Sequence, residues 1–260
     1  MKKLLMLLFL LPLKLFAQDN FVIEIHGTPP NIKHDIITEL HSAYVLDGSK
    51  TSIDGVVPSN HLFYSALETS HWFSGWYESS VVFYYAAGDD NRTGYAGTHL
   101  HNLLLLPKQY KLPGDIGLGL VVDLGFQERK YYSDNTTLEL TPVIDKQFNR
   151  LYMSLNTGFV KSLDGVNAES GFIFSTAYKV NYLVDNKHLA LGIEYYGTLG
   201  PLGSFSYVQQ QQHQLFFTGD LCNNNRLILN FGYGIGLTNN TDKSVMKLMI
   251  GYKFHDHSKI

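Results

Sequence analysis

The sequence predicts an all-β protein: a transmembrane antiparallel up-and-down β-barrel of about twelve strands, set in the outer membrane of a Gram-negative bacterium. Three observations predict it. The chain opens on an export signal, a strict two-residue alternation of apolar and polar residues recurs along its length, and the connections between the alternating segments are by turns short and long.

The signal comes first. Met1-Lys2-Lys3 precedes an apolar run from Leu4 to Leu11, followed by Pro12-Leu13-Lys14 and then Leu15-Phe16-Ala17 before Gln18-Asp19. A basic start, a short apolar core and a small residue at its end are the parts of a secretory signal peptide, with cleavage expected after Ala17. Lys14 and Leu15 depart from that pattern, and an uncleaved anchor is the alternative. With no cysteine near the junction, no lipid-modified N-terminus is expected.

Composition agrees. The 260 residues hold 17 Tyr, 16 Phe and 23 Gly but only 17% charged side chains. Aromatic and glycine richness at near-neutral mean hydropathy is what alternation between a lipid face and a polar lumen produces. Beyond the signal no run of about eighteen apolar residues occurs, so a membrane role must come from strands. The single Cys222 has no internal partner for a disulfide, and a formal net charge of −3 gives no basic footprint for nucleic acid.

The alternation is clearest where Ile116, Leu118, Leu120, Val122, Leu124 and Phe126 share one face and Gly117, Gly119, Val121, Asp123 and Gly125 the other. Leu151, Met153, Leu155 and Phe159 likewise oppose Ser154, Asn156 and Gly158; Leu189, Leu191, Ile193 and Tyr195 oppose Ala190, Gly192 and Glu194. Such segments place strands at 34–45, 61–69, 76–87, 96–106, 115–128, 136–146, 150–162, 169–181, 187–198, 213–221, 226–236 and 243–254. The first three alternate least cleanly. The chain then divides into a signal at 1–17, an N-terminal periplasmic segment at 18–33, the barrel at 34–254 and a tail at 255–260.

With the N-terminus periplasmic, the external connections fall near 46–60, 88–95, 129–135, 163–168, 199–212 and 237–242, while 147–149, 182–186 and 222–225 are short periplasmic turns. The stretch 107–114 breaks the rule by its length. Trp72, Trp76 and Tyr77 flank a periplasmic turn, and Tyr84-Tyr85 and Tyr131-Tyr132 lie near external strand ends, as an aromatic belt at the lipid boundary requires. A soluble sandwich or closed barrel with these aromatics in its core is the competing reading. The last strand, with Met246, Leu248, Ile250, Tyr252 and Phe254 on one face, ends on an aromatic residue, the form by which the barrel assembly machinery recognises its clients, although six residues follow it.

The C-terminal half resembles the outer-membrane barrel transporters of the phenol meta-pathway degradation family. The residues that carry the resemblance are Leu191 to Gly197 with Leu199-Gly200-Pro201-Leu202, His213 to Phe216, Gly232 to Thr238, and Lys247 through Gly251-Tyr252-Lys253-Phe254. It covers roughly residues 115 to 254, and the first half shares little beyond organisation. The resemblance implies an outer-membrane barrel for passage of small hydrophobic or aromatic compounds, and no catalytic residue.

Strand phase puts Glu39, Glu68, Glu78, Asp123, Glu139, Glu194 and Asp220 on the lumen face, with Lys179, Lys247 and Lys253 as counter-charges. Charges facing lipid at mid-depth cost roughly 2–4 kcal/mol for Arg or Lys, so inward placement is expected of any barrel. Two readings stand: a lumen that selects permeants by charge, or a hydrogen-bonded filling that stiffens the interior. His99 and His101 lie two apart and point the same way, and two ligands do not make a metal site. The lumen candidates are therefore Glu78, His99, His101, Glu139, Lys179, Glu194, Asp220 and Lys247, with no metal and no cofactor expected. Gly232-x-Gly234-x-Gly236 lies within a strand, where alternate glycines relieve crowding on the lumen side rather than cradle phosphate.

The expected function is a passive channel for small solutes, with outer-membrane lipid and lipopolysaccharide as surroundings. A barrel without an open pore is the alternative, since twelve strands lie between a filled interior and an open channel and the glutamine-rich loop 199–212 is long enough to fold inward. A lipid hydrolase with Ser and His on the outer wall is the rival from another class. No Gly-x-Ser-x-Gly motif supports it.

Overall fold

The computed structural model describes residues 20–28, 33–89, 91–110, 112–184, 189–223 and 226–254. The expected signal peptide at 1–17 and the expected tail at 255–260 lie outside them. Twelve strands run β1 Ile36–Asp47, β2 Phe63–Ser74, β3 Tyr77–Ala87, β4 Gly94–Leu105, β5 Gly117–Gln127, β6 Asp134–Phe148, β7 Leu151–Gly165, β8 Ile173–Leu183, β9 Leu189–Pro201, β10 Gln212–Asn223, β11 Leu227–Gly236 and β12 Ser244–Phe254. Each pairs antiparallel with its neighbours in sequence, and β12 pairs with β1 through a register from Ile36↔Phe254 to Val45↔Val245, which closes the barrel. Closure removes every sheet edge, the condition for strands to cross hydrocarbon with no backbone group left unpaired.

The expected strands are all present, the first three included, with ends shifted by a few residues. Connections differ sharply in length at the two ends. The turns at 75–76 and 149–150 are tight, and Asn149 takes a left-handed φ of 50°, which an Asn tolerates. The connections 48–62, 128–133, 166–172, 202–211 and 237–243 at the other end are long, which marks it as external. The periplasmic exception at 106–116 carries a short 3-10 turn, Lys108–Tyr110.

The outer wall is apolar all the way round. Leu40, Leu67, Phe83, Leu100, Phe126, Ile144, Met153, Tyr178, Ile193, Phe217, Phe231 and Leu248, one from each strand, are 39% to 55% exposed. No soluble sandwich presents such a continuous belt to water, so it faces lipid and the protein belongs in the outer membrane.

Part of the aromatic belt is reassigned. Trp76, Tyr77 and Tyr85 point outward, but Trp72 is 1% exposed inside the barrel, and Tyr84 and Tyr131 are also buried. Trp72 shares the parity of Glu68 and Ser70 along β2, so the pleat sends it inward. There it packs with Ile37, Leu103, Leu105, Val121 and Val143 as an apolar layer at the periplasmic end of the lumen. Gly234 makes room for the Phe216 ring, which would lie 2.5 Å from a Cβ at that position, in keeping with glycines that relieve lumen crowding.

Candidate functional site

The lumen holds a piece of the chain that is not part of the wall. Residues 20–28, within the segment expected on the periplasmic side, lie extended inside the barrel. Their own alternation explains how. Phe21, Ile23 and Ile25 are buried, whereas Val22, Glu24 and His26 are partly open to the remaining cavity.

Near the external mouth Phe21 stacks on Tyr84 and Tyr132, at 5.1 and 5.5 Å between centroids, and meets Tyr64 and Tyr131 edge-on. With Ile23 it joins an apolar cluster that includes Ala43, Val45, Ala66, Val82, Phe216 and Val245. Asn20 Nδ2 donates to Asp242 in the last external connection at 2.8 Å. Towards the periplasmic end the ties become polar. The His26 amide donates to Asn156 Oδ1 at 2.7 Å, and its carbonyl accepts from Ser154 Oγ and Asn156 Nδ2. Thr28 donates through both its amide and its hydroxyl to Asp145, at 2.6 and 2.7 Å, and Tyr152 OH donates to the same carboxylate. Gly117 leaves the space this requires, for a Cβ there would stand 1.9 Å from Thr28 Oγ1.

The wall carries two charged clusters. Glu194, 1% exposed, accepts from Lys247 at 2.5 Å, from Lys179 at 3.2 Å and from Tyr196 OH at 2.7 Å. Lys179 also reaches Asp220 at 3.1 Å, and Asp220 accepts from Asn181 and Asn230. Lys247 donates further to the Ile23 carbonyl at 2.9 Å, which joins this cluster to the segment. In the second cluster Asp123 takes His99 Nδ1 at 2.6 Å and His101 Nδ1 at 3.3 Å. The two histidines thus share a carboxylate. The His26 ring of the segment lies 4.9 Å from the His101 ring, centroid to centroid.

The predicted lumen residues accordingly fall in different groups. Lys179, Glu194, Asp220 and Lys247 form one network, and His99 and His101 belong to the other. Glu139 stands apart, accepting from Thr141 Oγ1 at 2.6 Å, and Glu78 lies on β3 opposite Trp72 and Leu103. Strand phase found these inward positions; it did not find residues 20–28, although Phe21, Ile23 and Ile25 alternate there with Val22, Glu24 and His26. The external loop 202–211, which has the length to fold inward, contributes no residue to the lining of the lumen cavity, and its Tyr207 is 72% exposed.

Beside the segment a cavity of about 310 Å³ remains. It runs from Tyr132, Ser133 and Asp134 at the external end past His99, Asp123, Glu139 and Tyr196 to Val121 and Thr141.

A scan against protein families finds no match and a search of curated proteins finds no relative, so the likeness to the meta-pathway barrels stays a resemblance. Solved structures do match the fold. An outer-membrane channel from Pseudomonas putida F1 superposes with a TM-score of 0.61 at 14% identity, over 89% of this chain and all of that one. The KdgM porin gives 0.56 at 10% identity over 84% and 99%, and the NanC porin 0.51 at 11% identity over 84% and 100%. At these identities the likeness is one of fold: the chain has the twelve-stranded closed barrel of outer-membrane proteins.

Proposed function

We propose that this barrel is a passive outer-membrane channel for small solutes, hydrophobic or aromatic ones among them, with its own N-terminal segment as the constriction. The observation that carries the reading is the cavity beside residues 20–28, which has the volume of a small-ligand pocket. Tyr84, Tyr132 and Tyr196 supply aromatic surface on its wall, and His99, Asp123 and Glu139 supply polar contacts. Likeness of fold to channels and porins and the resemblance of the C-terminal half point the same way.

In this reading Glu78, His99, His101, Glu139, Lys179, Glu194, Asp220 and Lys247 set selectivity by charge, and the final strand to Phe254 is the segment that the barrel assembly machinery takes up. A second reading has its own support. Phe21 with its tyrosines near one end and the Trp72 layer at the other are apolar closures, which suit a barrel that stays shut and serves a structural or surface-binding role. Single-channel recording of the refolded protein in a planar bilayer separates the two. Discrete openings interrupted by a small aromatic solute such as phenol support the channel; a correctly inserted but silent barrel supports the shut one.

A further inference from the structure

Where the N-terminal segment passes β1, three metal-binding side chains converge. Glu24 of the segment and Glu39 and His41 of β1 each bring one ligand-capable atom to within 4.8 Å of the others. A second observation points to a ligand at the same place. The His41 side chain is 3% exposed and its Nε2 makes no hydrogen bond, Glu68 Oε2 lying 3.6 Å away. A buried imidazole nitrogen that makes no hydrogen bond is rare, because its desolvation is only partly compensated by a carboxylate at ion-pair distance. Two carboxylates side by side in a low-dielectric lumen call for a positive charge as well.

Of the lysines of this wall, Lys247 is engaged on Glu194 and Lys179 on Glu194 and Asp220, while Lys253, 3.7 Å from Asp35, also acts on Glu39. One imidazole and two carboxylates are the ligand chemistry of zinc and similar divalent ions, with a fourth position left for water. Glu68, held by Ser80 Oγ at 2.6 Å, is a further carboxylate beside the site, 3.6 Å from His41 Nε2.

We propose that Glu24, Glu39 and His41 bind a divalent cation of the zinc type, and that this ion latches the N-terminal segment to the barrel wall. The site joins a residue of the segment to two of the wall, so occupancy and the seating of the segment are one equilibrium. Ion binding favours the seated state in proportion to its preference for that state. The inference concerns where the segment sits and holds whether or not the lumen conducts.

The test uses the refolded full-length barrel in detergent, stripped with chelator and loaded with zinc chloride, with metal counted by native mass spectrometry and affinity read by titration calorimetry. The expected result is one zinc per barrel, with affinity falling at least roughly tenfold in E24Q and in H41Q. E24Q changes no strand residue, so its barrel assembles regardless of how H41Q fares. A second readout follows maleimide labelling of Asn20→Cys in a Cys222→Ser background, which zinc should slow by at least roughly tenfold relative to chelator. No zinc bound by the wild type, or affinity unchanged in E24Q, would overturn the proposal. So would binding that survives E24Q but disappears in H101Q, which would place the ion at His26 and His101. Binding with no change in labelling would overturn the latch.

Discussion

The two halves of the segment inside the lumen are held by different physics. Its outer half, Phe21 and Ile23, is gripped by apolar packing against an aromatic and aliphatic wall. Its inner half, His26 to Thr28, is held through hydrogen bonds to Asn156, Ser154 and Asp145. Apolar packing is non-directional and tolerates sliding, whereas hydrogen bonds fix register. The difference suggests that the polar foot sets where the segment lies and that the apolar head supplies most of the free energy keeping it there.

That comparison can be broken by substitution, with hydrogen exchange of the His26 and Thr28 amides as the readout of segment release. Phe21→Ala removes a ring packed against four tyrosines and should have the largest effect, about 3 kcal/mol on opening. If the two halves release as a unit, exchange at both amides accelerates by about a hundredfold, each tenfold being about 1.4 kcal/mol. Acceleration confined to residues near Phe21 would show that the foot holds by itself. Asp145→Ala removes both Thr28 bonds and the partner of Tyr152 and should cost about 2 kcal/mol, mostly at the foot. Lys247→Met keeps the bulk but loses the bond to the Ile23 carbonyl, with about 1 kcal/mol expected; Glu194 retains Lys179 and Tyr196. Tyr207→Ser, on the exposed external loop, should change exchange by less than about 0.5 kcal/mol.

How much of this was legible in the sequence follows from which contacts are local. Strand positions and the inward phase of Asp123, Glu194 and Lys247 were legible because lipid outside and polar groups inside impose a two-residue period on every strand. The same parity rule applied to β2 also places Trp72 inside, beside Glu68; reading it as belt gave weight to residue type over phase. The segment 20–28 was hidden for another reason. Its alternation is plain, but its partners Asp145, Asn156 and Asp242 lie more than a hundred residues away, and only closure of the barrel brings them to one place. A short alternating run with no adjacent hairpin partner carries no sign of whether it lies in a wall or inside one.

The central claim is that residues 20–28 occupy the lumen and limit what passes. Its most direct test compares single-channel conductance of the wild-type barrel with that of a variant lacking residues 20–28, both verified as folded and inserted. The account predicts small or rare openings in the wild type and a conductance several-fold larger in the deletion, since the segment's volume would then be filled by electrolyte. Equal conductances in the two proteins would contradict it.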